Sequence, residues 1–463
     1  MREQAMPGGS GPASLQDLID RGRIHAIQVR VIALCAMVTL VEGIDLQLIP
    51  LLAPSITASW ELGPVALGLL FGASAFGLIF GGLGAGWLAD RIGRRGSLLA
   101  TMTLMTTATL ATALVNSFPH LLVCRLLAGI AFGGVIPAAV SLVSEFLPAR
   151  TRPSVVALVI LGQAVGALLA ALVMKFPAIA AMRWQALLLI AGLACATVTL
   201  LATMLPESPR YLGLKEPRGR RFAVVLRGLG VAAGTAVHEA DPAVKGFRLL
   251  ELFAPSRAWG TVLLWAGFIG IGWPLSFFTN WLTKIYTEAG HAAGVGVDAM
   301  ALYSGGAILG GLVLPLFSRR WHHDKVLITS VLVAAALTAS LGMVLDDGRA
   351  VHMSVSLLCG VFVSGVFFLL YPLAVRYYPT DIRSTGIGSA VAFGRVGNTT
   401  SPMVAGWMLG AGLSPQSVFW AMAAPLLVSA GALYLFHRLT VPQAARGAAG
   451  MTAATRTVPA DSR

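Results

Sequence analysis

Residues 28–53 read QVRVIALCAMVTLVEGIDLQLIPLLA, an apolar run that carries two acids, Glu42 and Asp45. About 20 apolar residues in a helix cross the roughly 30 Å hydrocarbon core of a bilayer. An ionisable group within such a helix is costly unless it faces protein, a water path or a partner. The three-residue separation puts Glu42 and Asp45 on one helical face, so both can enter one polar cavity while Leu, Ile and Val side chains meet lipid or other helices. The competing reading is a helix end, with the acids in interfacial water and the LIPLLAP run at 48–54 marking the lipid boundary.

Composition decides the class. Of 463 residues, 56% are hydrophobic and 11% charged, with a mean hydropathy of +0.79, whereas a soluble domain carries about 25% charged residues. The chain therefore reads as an all-α, polytopic membrane protein. Its net charge of +13 comes from short basic clusters between apolar runs, which reads as topology signalling rather than nucleic-acid binding. Cys35, Cys124, Cys195 and Cys359 sit inside apolar segments without metal-ligand spacing and read as small buried hydrophobes. No nucleophile–base pair or metal cluster suggests an enzyme, and no cofactor is expected.

Spanning runs fall at 28–53, 65–89, 97–116, 119–143, 154–176 and 184–204, and again at 259–283, 298–318, 326–345, 351–375, 384–409 and 415–437. This predicts twelve transmembrane helices in two bundles of six, at 28–204 and 259–437. They are flanked by a cytosolic segment 1–27, a cytosolic connection 205–258 and a disordered tail 438–463. With both termini inside, the inner segments hold 27 of the 33 Lys and Arg residues and the outer loops four, Lys175, Arg183, Lys284 and Arg349; Arg125 and Arg395 lie within spans. Such a bias predicts an N-in, C-in, multi-pass protein of the inner membrane. VVLRGLG at 224–230, within the basic connection, reads as an interfacial helix or a solvated linker. The halves repeat: EFLPARTRPSVVALVILG from Glu145 returns as RYYPTDIRSTGIGSAVAFG from Arg376. A six-plus-six repeat suits two bundles rocking about a central site.

Between the second and third spans lies GWLADRIGRR, with Gly86, Asp90, Arg91, Gly93, Arg94 and Arg95. Glycines permit a tight turn, and an acid at a helix end can pair with bases or a neighbouring terminus. With the six-plus-six layout this stretch resembles the signature loop of the major facilitator superfamily, where it latches the cytoplasmic gate. LPESPRYL at 205–212 resembles another superfamily motif, in which Glu207 and Arg210 help hold that gate. The stretch LPLFSRRWHHDKVL at 314–327 lacks the loop pattern, with Pro315 in the glycine position and Ser318 or Arg319 in the acid position, so no second-half latch is expected.

The fourth span, CRLLAGIAFGGVIPAAVSLVSEFLP, resembles the family's R-x-x-x-G helix, with Ala131 where a glycine often stands. A buried Arg125 needs a counter-charge. Glu42 and Asp45 are the candidates, and snorkelling to the outer interface is the alternative. The fifth span has Gly162 and Gly166 but lacks the Gly-Pro pair of antiporters, which leans toward import; its Gln163 lines a cavity or packs as a satisfied amide. In the eleventh span, Arg395 is a natural receiver for an anionic substrate or a partner in a charge pair. At the end of the seventh, Asn280, Trp281 and Lys284 read as ring contacts or interface anchors. His291, His322 and His323 read as surface residues.

Together, LQDLIDRGRIHAIQVRVIALC at 15–35, EGID in place of D-G-x-D, SLVSEFLPARTR and YPTDIRSTGIGSAVAFGRVGN resemble the aromatic acid:proton symporter family within that superfamily. The resemblance implies an importer of a small organic carboxylate of aromatic type, with protons as coupling ion. Glu42 and Asp45 match the coupling acids, Arg125 and Arg395 the family arginines and Asp90 the loop acid, with Arg125, Arg395, Gln163, Asn280 and Trp281 as candidate substrate contacts. It implies the lipid bilayer as surroundings and a monomer. A sugar or other metabolite symporter and a drug exporter of the same fold are the alternatives, and a ligand-binding sensor without flux is a third.

Overall fold

The computed structural model describes residues 13–22, 24–231, 237–238, 249–255, 257–379 and 382–454. Twelve long helices dominate, here α1 to α12. They are α1 Ala26–Trp60, α2 Pro64–Ile92, α3 Arg94–Ala113, α4 Phe118–Phe146, α5 Arg152–Val173, α6 Trp184–Ala202, α7 Ala258–Glu288, α8 Ala293–Arg320, α9 His323–Met343, α10 Arg349–Tyr377, α11 Arg383–Gly410 and α12 Pro415–Ala454. Ten of them are long and apolar enough to cross a membrane. The remaining two, α3 and α11, match spans read from the sequence; α3 is rich in threonine, and α11 in glycine, serine and threonine. The helices overrun the apolar runs. Pro50 and Pro54 lie inside α1 rather than ending it, because membrane helices re-satisfy the carbonyls a proline frees. α12 likewise continues to Ala454, beyond residue 437. In α10 the regular winding is interrupted by a π-turn at Gly360–Ser364, and Pro372 follows it.

The chain divides into two compact units. The first comprises residues within 1–46, 76–167 and 183–244; the second, those within 47–75, 168–182 and 245–463. In the first, α3 packs on α4 and α6. Its core joins Val31, Cys35 and Val38 of α1 to Met102 and Met105 of α3 and to Phe132, Val135 and Phe146 of α4. The short amphipathic helix Arg220–Gly228 buries Phe222 and Val225 on this core, alongside Leu15 and Ile19 of the helix Leu15–Arg21. The stretch 224–230, read as an interfacial helix or a solvated linker, is helical as far as Gly228 and packs on protein. Asp20 Oδ1 accepts from Ala149 N at 2.7 Å, and Gln28 Nε2 donates to Phe146 O at 2.7 Å, tying the entry segment to the end of α4.

In the second unit α7 packs on α11 and α12, and α9 on α12. Trp281 is fully buried; its indole N–H donates to Pro402 O at 3.1 Å and its ring meets Phe71 edge-on at 5.5 Å. Asp298 of α8 bridges Lys175, at 2.9 Å, and Arg349. His291 and His323 are half-buried rather than on the surface. Each ring hydrogen-bonds a carbonyl, His291 that of Leu345 just past the end of α9 at 2.8 Å and His323 that of Leu369 within α10 at 3.0 Å.

Candidate functional site

Glu42 and Asp45 lie inside α1, each 1% exposed. That burial excludes the interfacial-water reading. Glycines set the site's depth. A Cβ on Gly43 would collide with the Gln163 backbone, and one on Gly162 or Gly166 with Thr39 and Leu40 of α1. Small residues let these two backbones touch, and Thr39 Oγ1 stitches them by donating to Val159 O at 2.6 Å. The approach delivers the Gln163 side chain to the Glu42 carboxyl as a hydrogen-bond partner.

The opposite wall comes from α3 and α4. Arg125, 1% exposed, brings Nη1 to 3.9 Å from Asp45 Oδ1 and donates from Nη2 to Thr112 Oγ1 at 2.6 Å. Thr109 Oγ1 donates to Asp45 Oδ2. Burial removes the snorkelling alternative for Arg125. Thr109 and Thr112, three residues apart on α3, are site residues that the sequence reading missed. Their signal is the threonine-rich run from Thr101 to Thr112 in a helix otherwise apolar.

The cluster is incompletely satisfied. Glu42 Oε2, Asp45 Oδ1 and Arg125 Nε have no hydrogen-bond partner among the described residues. Buried polar atoms are normally paired, and breaking a buried ion pair by removing one partner costs roughly 3–5 kcal/mol. Two acids with one base give a surplus negative charge that one proton can cancel.

A second constellation of the first unit surrounds the turn between α2 and α3. Gly93 caps α3 with a φ of 89°, a conformation that favours glycine. A Cβ there would also meet the Glu207 carboxylate. Glu207 Oε1 accepts from Arg95 N at 3.0 Å and Ser208 N at 2.9 Å, so it caps the amides at the start of α3. Arg94 reaches Asp90 at 3.3 Å and Glu145, at the end of α4, at 3.0 Å. Ser208 donates to Glu145 as well. Gly86 and Asp90 line a cavity of about 120 Å³ beside Pro137 and Ser141. The Arg91 guanidinium lies over Trp87 at 4.8 Å, and Arg210 sits on the adjoining helix Pro209–Lys215. Glu145 is the member sequence reasoning passed over, although it stands in the quoted repeat.

The remaining candidates belong to the second unit. Arg395 is half-buried on α11, with Tyr371 of α10 as an electrostatic neighbour. Asn280 donates to Ser276 O at 2.8 Å within α7. Trp281, whole ring buried and N–H occupied, supplies packing to α11 rather than a free face. Lys284 pairs along its own helix with Glu288 at 2.9 Å.

A turn between α8 and α9 also carries charges, where no latch was expected. Asp324 Oδ1 lies 3.5 Å from Arg376 Nη1, and its Oδ2 lies 2.8 Å from His437 Nδ1.

Known proteins resemble this chain over most of its length. The chain is 29% identical over 436 residues to the gallate transporter of Pseudomonas putida, covering 92% of this chain and 96% of that one. It is 33% identical to the 3-(3-hydroxy-phenyl)propionate transporter of Escherichia coli (strain K12), covering 87% and 93%. It is 28% identical to the 4-hydroxybenzoate transporter PcaK of Pseudomonas aeruginosa, covering 91% and 95%. Its fold matches the partially occluded, inward-open xylose transporter XylE from E. coli with a TM-score of 0.68 at 16% identity, over 90% of this chain and 98% of that one. With residues 35–398 matched by that family's own model, and a loop and helix ends built as described above, the chain belongs to the Major Facilitator Superfamily.

Proposed function

We propose that this chain is a proton-coupled importer of small aromatic carboxylates, working by alternating access as a multi-pass protein of the inner membrane. Its family and relatives are transporters rather than enzymes. The observation that carries the coupling is the buried set Glu42, Asp45 and Arg125, with two acids against one base and an oxygen on each acid without a hydrogen-bond partner among the described residues. Glu42 has Gln163 as a neutral partner and takes the first proton, while Asp45 pairs with Arg125, Thr109 donating to Asp45 and Thr112 accepting from Arg125. Protonation that reaches Asp45 as well as Glu42 releases the hold on Arg125, and substrate and proton together favour the state that moves cargo.

Arg395 receives the substrate carboxylate, because a guanidinium can bind it bidentately. Asn280 offers its amide oxygen to a ring substituent. The six-plus-six arrangement rocks with both termini in the cytosol, and the loop set Gly86, Asp90, Arg91, Gly93, Arg94, Glu207 and Arg210 gates it. The protein acts as a monomer.

Purified protein in proteoliposomes, given an inward proton gradient and labelled 4-hydroxybenzoate, gallate or 3-(3-hydroxyphenyl)propionate, tests this reading. Accumulation of at least one of them, with none of a hexose, is expected. Asp45→Asn should abolish accumulation driven by the proton gradient while substrate counterflow survives at a reduced rate. Full proton-driven accumulation by Asp45→Asn, or hexose uptake without aromatic acid uptake, refutes the proposal.

A further inference from the structure

A cavity of about 700 Å³ lies between α8, α9 and α10 of the second unit. Its chemistry is split along its length. Leu314, Phe317, Val326 and Phe362 form apolar walls, whereas Arg320 and Lys325 stand at the turn between α8 and α9. Seven residues separate Arg320 from Val313, the innermost α8 residue of the cavity, so the apolar part runs roughly 10 Å inward from the charged mouth. The π-turn of α10 contributes Val361 and Phe362 to the wall. Phe317 and Trp321 are 53% and 67% exposed, which for helices of a bilayer protein marks a lipid-facing side.

The charge at the mouth is uncompensated. Arg320 and Lys325 are both exposed, and neither makes an ion pair among the described residues. Asp324, the one acid of the turn, is committed to Arg376 and His437. Basic groups at the interface end of an apolar groove between membrane helices match an amphiphile with an anionic head and hydrocarbon tails.

We infer that this groove holds an anionic glycerophospholipid, its phosphate between Arg320 and Lys325 and an acyl chain along Leu314, Phe317 and Phe362. Charge complementarity commits the site to a lipid of the leaflet that meets the α8–α9 turn. The reading is independent of substrate and coupling ion, since it needs only the groove and a bilayer.

Native mass spectrometry of the detergent-purified full chain, titrated with phosphatidylglycerol or with phosphatidylcholine of the same tails, tests it. Phosphatidylglycerol should be retained about ten-fold or more tightly than phosphatidylcholine, and Arg320→Gln with Lys325→Gln should remove that preference, at roughly five-fold per cation. Thr329→Trp, which fills the groove from an exposed position, should lower retention of both lipids. If the double variant fails to purify, Lys325→Gln alone should weaken phosphatidylglycerol about five-fold. Equal retention of the two lipids by the native chain, an unchanged preference in the glutamine variants, or complete displacement by millimolar inorganic phosphate would overturn the inference.

Discussion

The turn between α2 and α3 and the turn between α8 and α9 solve one problem with opposite charges. At the first, a base at the start of the helix, Arg94, meets an acid at the end of the next, Glu145, at 3.0 Å. At the second, an acid at the start of the helix, Asp324, meets a base at the end of the next, Arg376, at 3.5 Å. Glu145 and Arg376 are the residues that open the repeated stretch in each half. The pairing has thus been kept while its polarity was inverted.

Their settings differ more than their distances. Arg94 and Glu145 are 17% and 12% exposed, and Ser208 and the Glu207 cap close around them. Arg376 is 61% exposed. Exposed pairs contribute about 0–1 kcal/mol, and burial raises what their loss costs. The first turn therefore reads as the firm latch and the second as a loose one.

The largest effect should come from breaking the firm latch. Glu145→Gln, which removes the less exposed of the two carboxylates that Arg94 meets, is expected to lower proteoliposome uptake by about ten-fold or more. Giving the first turn the polarity of the second sharpens the comparison further: Arg94→Asp with Glu145→Arg should recover uptake above either single variant. Asp90, one turn before Arg94, should keep that recovery partial. Gly93→Ala forces a side chain into a φ of 89° and against Glu207, so thermal unfolding should report a loss of about 1–3 kcal/mol. The smallest change belongs to Arg376→Gln, for which uptake should stay within about two-fold of the native rate. If Arg376→Gln matched Glu145→Gln, the firm and loose assignments would be wrong.

The sequence made much of this legible. Three-residue spacing put Glu42 and Asp45 on a shared face, and both proved buried together. Glycines in the α2–α3 stretch marked the tight turn that the structure uses at Gly93, whereas Gly162 and Gly166, read only against the antiporter pattern, turn out to bring α5 against α1. What stayed hidden were the partners supplied across helices. Spacing along one helix names a face but not what faces it, so Glu145 and Asp324 read as ordinary charges at helix ends. Thr109 and Thr112 escaped notice because threonine in a membrane helix can hide its hydroxyl on the preceding turn, as Thr109 does at Met105 O, 2.9 Å, and Thr112 at Ala108 O, 2.7 Å. The first helix runs to Trp60, past the end of the apolar run at 53, because polar residues beyond Pro54 still continue the helix.

The wide turn at Gly360–Ser364 fixes the compass bearing of everything after it in α10. One surplus residue in a helix of 3.6 residues per turn swings the downstream stretch by about 100°. Excising a single residue there would rewind the helix and point Arg376 away from Asp324, silencing the looser pair without touching either member.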